Sequence, residues 1–124
     1  MTKPLRFLVV EDEILIAMGL ELELKKAGFA VCKRVTSGEE AIIAAGQEHP
    51  DVILMDIRLA GALDGIEAAQ QIQSVSPTPI IFMTGYSDKD EIERAQQQQP
   101  LGLFIKPIRI QDIQSVVASI PHAE

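Results

Sequence analysis

Short apolar runs alternate with longer segments of helical periodicity along the whole chain. The runs predict strands, and because they are continuous rather than alternating, they are typical of a parallel sheet that is covered on both faces. Five such runs cover residues 7–10, 30–35, 52–55, 80–83 and 101–105. The strict alternation of strands and helices predicts a doubly wound α/β fold with a single five-stranded parallel sheet and five helices.

Apolar positions spaced by three and four residues predict the helices, and polar or glycine residues mark their ends. The first helix starts near Ile14 and stops at Gly28, and the fourth covers 89–97. The expected N-caps of the second, third and fourth helices are Thr36 or Ser37, Asp64, and Ser87 or Asp88. The second helix runs to about residue 47, and the last is marked by Ile110, Ile113, Val117 and Ile120. The glutamines at 96–99 are either a solvated helix end before a stop or a loosely ordered segment.

Composition and charge exclude some classes of function but do not identify the function. The 124 residues are 47% hydrophobic and 23% charged, as in a soluble globular domain. Eleven basic and 18 acidic residues give a net charge of −7, and no basic cluster interleaves with aromatic residues. We therefore expect no direct contact with nucleic acid and none with a membrane surface. A single cysteine, Cys32, and an apolar run too short for a signal peptide predict a cytoplasmic protein.

Candidate site residues follow four of the five predicted strands, and the second strand is followed only by the capping candidates Thr36 and Ser37. Glu11 and Asp12 follow the first strand, Asp56 the third, Thr84 the fourth and Lys106 the fifth. Each alone is most often a turn, a cap or a surface charge. In an open parallel sheet, however, the carboxyl ends of the strands share one edge, which is where ligands bind. The sequence therefore predicts that these five side chains meet.

Three carboxylates so close together need a compensating cation. Two like charges about 4 Å apart repel by roughly 4 kcal/mol at an effective dielectric constant of about 20. Carboxylate oxygens suit Mg²⁺, which also keeps phosphate oxygens as ligands. A phosphoryl group would then contact the cation, Lys106 and the Thr84 hydroxyl. A carboxylate such as Asp56 can be the nucleophile.

At this point the sequence resembles a receiver domain of the two-component response regulators, from Arg6 to about Ile120. The motifs that carry the resemblance are Val-Val-Glu-Asp-Glu (9–13), Val-Ile-Leu-Met-Asp-Ile (52–57), Asp-Gly (64–65), Met-Thr-Gly (83–85) and Lys-Pro (106–107). The resemblance implies a flavodoxin-like sheet with strand order 2-1-3-4-5. It also implies that one receiver domain fills residues 1–124, so that any output is reached through a partner or a segment outside this chain.

The resemblance assigns a role to each site residue. It makes Asp56 the phosphoacceptor and, together with Asp12, a Mg²⁺ ligand. Glu11 would act partly through water, and the carbonyl of Arg58 would be a further metal contact. Thr84 would bond a phosphoryl oxygen.

Lys106 and the partners follow from the same resemblance. Lys106 would pair with the phosphoryl group or, without it, with Asp56, and the bond to Pro107 would be cis. The phosphodonor would be a sensor histidine kinase or a phosphotransfer protein. The fourth helix, fifth strand and fifth helix would form the output face for a downstream protein target or output domain. Ordering of a mobile segment around 96–99 would be part of the switch.

The sequence departs from the usual receiver pattern at several positions. Leu103 stands where receivers usually carry an aromatic switch residue, and Phe104 beside it should point to the opposite face of the sheet. The run Phe-Met-Thr-Gly-Tyr (82–86) resembles a subgroup with a Phe-x-Thr-Gly-Tyr signature that often pairs with kinases of the HWE class. Tyr86 is then either a switch residue or a packing aromatic. Arg58 either tunes the lifetime of the phosphoryl group or is a solvated side chain.

Two rival functions remain as alternatives. The first is a binding module of receiver fold that is not phosphorylated. The second is a phosphatase with an aspartate nucleophile, which would need a second aspartate where Arg58 stands. Dinucleotide binding has no support, because no Gly-x-Gly-x-x-Gly follows the first strand. The expected function is a phosphoacceptor switch rather than an enzyme with multiple turnover.

Overall fold

The computed structural model describes residues 3–85 and 88–120 and contains the predicted alternation of elements. The strands are β1 (Arg6–Val10), β2 (Ala30–Val35), β3 (Val52–Asp56), β4 (Ile80–Thr84) and β5 (Gly102–Ile105). The helices are α1 (Ile14–Lys26), α2 (Gly38–Glu48), α3 (Gly65–Val75), α4 (Lys89–Gln97) and α5 (Ile110–Val117). Within the described ranges, none of these helices has the length and apolar character needed to cross a membrane.

All neighbouring strands of the sheet pair in parallel, and their order is β2-β1-β3-β4-β5. Both the fold class and the strand order are thus confirmed. The chain moves outward from β1 to β2 and then crosses back to β3. The carboxyl ends of β1 and β3 therefore flank the point where the strand order reverses, and a crevice forms there in such sheets.

Each face of the sheet has its own apolar core. Residues of α2, α3 and α4 pack on one face together with alternate strand residues: Leu8, Ile53, Phe82, Ala41, Ile66 and Ala95. Residues of α1 and α5 pack on the other face with the remaining strand residues: Phe7, Leu54, Met83, Leu24 and Ile113. The three inner strands are buried on both sides, which explains their unbroken apolar runs.

The ends of the helices lie close to their predicted positions, with one exception. Gly28 follows α1 with φ +95°, and the Ser37 side chain caps α2 by accepting a hydrogen bond from the Glu40 N–H at 3.1 Å. The spacing predicted that the fifth helix reaches Ile120, but the helix ends at Val117. Ile120 still packs against the core, but from the turn after the helix. Its apolar character therefore reflects burial and not a helical conformation.

The glutamine run contains the end of α4 and the turn that follows. The helix ends at Gln97, and Gln99 adopts the left-handed conformation with φ +52° directly before Pro100. This is the helix end and stop that the first interpretation predicts. The ordering of this segment during switching stays a prediction.

Candidate functional site

The structure brings the five predicted strand-end residues to one edge of the sheet. Glu11 and Asp12 follow β1 directly, and Asp56 and Thr84 are the last residues of β3 and β4. Lys106 follows β5, and its backbone N–H donates to the Thr84 carbonyl at 2.7 Å. The parallel register of neighbouring strands places these residues side by side.

A cluster of three carboxylates forms the floor of the site. Glu11, Asp12 and Asp56 each offer an oxygen atom, and these atoms lie within 4.8 Å of one another. Glu11 is fully buried and Asp56 is 3% exposed, so little water screens their repulsion. An all-carboxylate donor set of this size fits a hard divalent cation such as Mg²⁺. No contact tests the predicted role of the Arg58 carbonyl, which stays a prediction.

Lys106 compensates part of this negative charge. Its Nζ donates to Asp56 Oδ2 at 2.9 Å and lies 2.6 Å from Glu11 Oε1. The side chain of Lys106 is only 19% exposed, so these are charge-assisted contacts in a partly desolvated site. The peptide bond between Lys106 and Pro107 is cis, as the resemblance implied. The predicted pairing of Lys106 with Asp56 is present.

One ammonium group cannot neutralise three carboxylates, and the pKa shifts reflect this excess of negative charge. Burial, together with the Glu11 carboxylate, raises the pKa of Asp56 to about 7 although Lys106 opposes the shift. Burial also disfavours the charged form of Glu11, but Lys106 and the N–H of Glu13 outweigh it and lower the pKa of Glu11. The pKa of Lys106 is raised because its two carboxylate partners outweigh its own desolvation. The site therefore favours an additional positive charge.

Glu91 belongs to the site although the sequence analysis missed it. This residue lies in the first turn of α4, and its Oε1 accepts a hydrogen bond from the Thr84 hydroxyl at 3.1 Å. Its Oε2 accepts from Arg58 Nε at 3.0 Å. Arg58 is half exposed but ion-paired, so it is not merely a solvated side chain. In the sequence, Glu91 stands three residues after the cap Asp88, which is typical of local helix capping and gives no sign of a tertiary contact.

The switch positions divide between the two faces of the sheet. Leu103 packs with the core under α2, α3 and α4, whereas Phe104 packs with the core under α1 and α5. The predicted opposite orientation of these two residues is confirmed. Phe104 therefore does not replace the missing aromatic residue at position 103. Tyr86 lies outside the described residues.

Comparison with known proteins now decides the family. A model of the response regulator receiver domain matches residues 7–118. The chain belongs to this family. Receiver domains act in two-component signalling.

The curated proteins that the chain resembles include longer regulators. The transcriptional regulatory protein PdtaR of Mycobacterium tuberculosis is 36% identical over 89% of this chain, which covers 53% of PdtaR. The phyllosphere-induced regulator PhyR of Methylorubrum extorquens is 31% identical over 90% of this chain and 41% of its own length. The chain thus spans about half the length of these relatives. Among solved structures, the receiver domain of a modulated diguanylate cyclase from Desulfovibrio desulfuricans G20 superposes with a TM-score of 0.88 at 34% identity, covering 94% of this chain and 93% of that one.

Proposed function

We propose that this receiver accepts a phosphoryl group on Asp56 from a sensor histidine kinase or a phosphotransfer protein in a Mg²⁺-dependent step. The observation that carries the proposal is the environment of Asp56. Its carboxylate lies in a buried acidic cluster 2.9 Å from Lys106 and beside the predicted metal ligands Glu11 and Asp12. Glu11 shares the contact with Lys106, at 2.6 Å, so the family resemblance, which makes Asp56 the phosphoacceptor, decides between the two carboxylates.

The chemistry needs Asp56 as a carboxylate nucleophile. One Asp56 oxygen attacks the phosphorus of a phosphohistidine, an O–P bond forms, and the N–P bond to the imidazole breaks. The imidazole leaves and takes a proton from solvent. Lys106 and the Thr84 hydroxyl hold the phosphoryl oxygens, and a bound Mg²⁺ supplies further neutralisation of their charge. Glu11, Asp12 and Asp56 would hold that ion.

The start of α1 offers a surface for the phosphodonor. Ile14, Leu15 and Met18 are 61%, 83% and 50% exposed, and α1 begins two residues after Asp12. Three exposed apolar side chains at the start of the helix that follows Asp12 suit a helical partner that buries them while it presents its histidine. Membership in the Phe-x-Thr-Gly-Tyr subgroup, and with it pairing with an HWE-class kinase, is part of this proposal.

The output would be a change at the face formed by α4, β5 and α5, read by a protein target or an output domain. The chain itself would be cytoplasmic and would turn over only its own phosphoryl group. Relatives such as PdtaR are named as transcriptional regulators. The net charge of −7 still predicts that this chain does not itself contact nucleic acid.

Incubation with acetyl phosphate and Mg²⁺, followed by intact mass measurement, tests the proposal. We expect one phosphate adduct that is absent without Mg²⁺ and absent in Asp56→Asn. The control Asp90→Asn, an exposed carboxylate in α4, should keep the adduct. If neither acetyl phosphate nor a cognate kinase gives an adduct, the domain is a binding module. Multiple turnover on small phosphoesters would instead indicate a phosphatase.

A further inference from the structure

The helices α3 and α4 begin with the same four-residue pattern but use its glutamate differently. Asp64 caps α3, and its side chain accepts from the Glu67 N–H at 2.8 Å. The Glu67 side chain in turn accepts from the Asp64 N–H at 2.9 Å, which closes a capping box. Asp88 caps α4 in the same way, accepting from the Glu91 N–H at 3.1 Å. The carboxylate of Glu91, however, is directed to the site.

Glu91 bridges three elements through its two oxygens. It accepts from the Thr84 hydroxyl at the end of β4 and from Arg58 in the loop after β3. The side chain of Glu91 is only 14% exposed, and Thr84 is fully buried. Hydrogen bonds to a charged group in such a site are stronger than neutral bonds in water. We name Glu91 with these two partners the Glu91 latch.

Few other contacts fasten α4 to the rest of the domain. Ala95 is its only buried residue among those described, and the helix is strongly polar. A second ion pair joins Arg94 Nη2 to Asp64 Oδ2 at 3.2 Å, with both side chains partly exposed. The position of α4 therefore depends on polar contacts, and the Glu91 latch is the most buried of these contacts.

We propose that the Glu91 latch competes with the phosphoryl group on Asp56 and that phosphorylation releases the N-terminus of α4. This inference rests on the proposed function. A threonine hydroxyl has one proton, so Thr84 cannot donate to Glu91 and to a phosphoryl oxygen at the same time. A phosphoryl group also repels the Glu91 carboxylate and attracts the guanidinium of Arg58. All three changes favour opening of the latch.

Competition of this kind is reciprocal. If the phosphoryl group opens the latch, the closed latch must weaken binding of the phosphoryl group by the same factor. A lost hydrogen bond to a charged group corresponds to about a tenfold change in affinity. Glu91 thus sets how readily this receiver enters its active state. Its place in the sequence pattern predicts only a helix-capping residue.

The affinity for beryllofluoride with Mg²⁺, followed by NMR titration of backbone amides, tests the latch. We expect Glu91→Ala to bind about tenfold more tightly than the wild type, and Glu91→Gln to bind more tightly by a smaller factor. Asp90→Ala and Glu93→Gln are matched controls, since both residues are exposed acids of the same helix. Both controls should keep the wild-type affinity.

A second measurement needs no metal. The Arg58 Nε–H signal should show slow exchange with water in the wild type and in Asp90→Ala, and fast exchange in Glu91→Ala. Equal affinities in Glu91→Ala and Asp90→Ala, or an unchanged Arg58 signal, would overturn the latch while leaving phosphorylation intact. If the wild type itself binds no beryllofluoride and gains no phosphate adduct, the proposed function fails, and the latch fails with it.

Discussion

Helices α3 and α4 flank the candidate site, and they are attached to the sheet in opposite ways. The helix α3 buries five residues: Gly65, Ile66, Ala68, Ala69 and Ile72. The helix α4 buries Ala95 alone and is connected through Glu91 and Arg94. Apolar burial is insensitive to a new charge, whereas polar contacts compete directly with one. A phosphoryl group should therefore move α4 and leave α3 in place.

The sharpest contrast is at the first residue of each helix. A Cβ on Gly65 would lie 2.0 Å from the Asp56 carbonyl oxygen, so α3 sits directly against the backbone of the site. We expect Gly65→Ala to lower the free energy of unfolding by at least about 3 kcal/mol. Lys89→Ala, at the same position of α4, should change it by less than about 0.5 kcal/mol. Urea denaturation of both variants measures the difference, and equal losses would contradict it.

Replacing one isoleucine by alanine in each helix compares how strongly α3 and α4 are held by apolar contacts. Ile66 in α3 is 1% exposed, whereas Ile92 in α4 is only half-buried. We expect Ile66→Ala to cost about 2–4 kcal/mol because it leaves a cavity, and Ile92→Ala to cost about 1 kcal/mol or less. Thermal unfolding at a fixed pH measures both. A cost for Ile92→Ala that matches the cost for Ile66→Ala would mean that α4 is also held by apolar contacts.

Asp56→Asn probes the charge that lies between the two helices. We expect the variant to be more stable than the metal-free wild type by about 1–3 kcal/mol above pH 7, because a buried repulsion is removed. The pKa of Asp56 is raised from 3.8 to about 7, so the folded protein keeps a proton that the unfolded chain releases. The contribution of Asp56 to the free energy of unfolding of the wild type therefore decreases as the pH rises from about 4 to about 7. The stability advantage of the variant grows over the same range.

Magnesium is the control for this effect. The ion would bind the wild-type carboxylate, so saturating Mg²⁺ should abolish the advantage of Asp56→Asn in the same unfolding experiment. An advantage that is unchanged by Mg²⁺, or one that grows as the pH falls below 7, would contradict the described electrostatics.

The smallest expected effect is the difference between alanine substitutions of Glu67 and Glu91, the two glutamates of the shared capping pattern. Glu67→Ala opens the capping box of α3 and should cost about 0.5–1 kcal/mol of stability. It should leave the rate of acetyl phosphate labelling unchanged, since Glu67 does not contact the site. Glu91→Ala should cost a similar amount of stability and raise that rate. If Glu67→Ala alters labelling as much as Glu91→Ala does, the effect comes from general loosening.

The sequence was sufficient to predict the sheet and its polar edge, but it did not predict the Glu91 latch. Continuous apolar runs mark buried strands, and the first polar residue after each run falls at the carboxyl edge, so the sequence predicts Asp56 and Thr84 at that edge. The opposite orientations of Leu103 and Phe104 follow from strand alternation. Glu91 could not be found in this way, because its pattern is the same as that of Glu67. Which partner the carboxylate takes depends on the tertiary distance to Thr84.

Amide hydrogen exchange of α3 and α4 in one protein tests the central contrast most directly. The wild type would be compared with Mg²⁺ alone and with Mg²⁺ plus beryllofluoride, which stands in for the phosphoryl group. We predict faster exchange in the N-terminal part of α4, residues 89–93, and unchanged exchange across Gly65–Val75 when beryllofluoride is added. Slower or unchanged exchange in residues 89–93, or an equal change in both helices, would contradict this account.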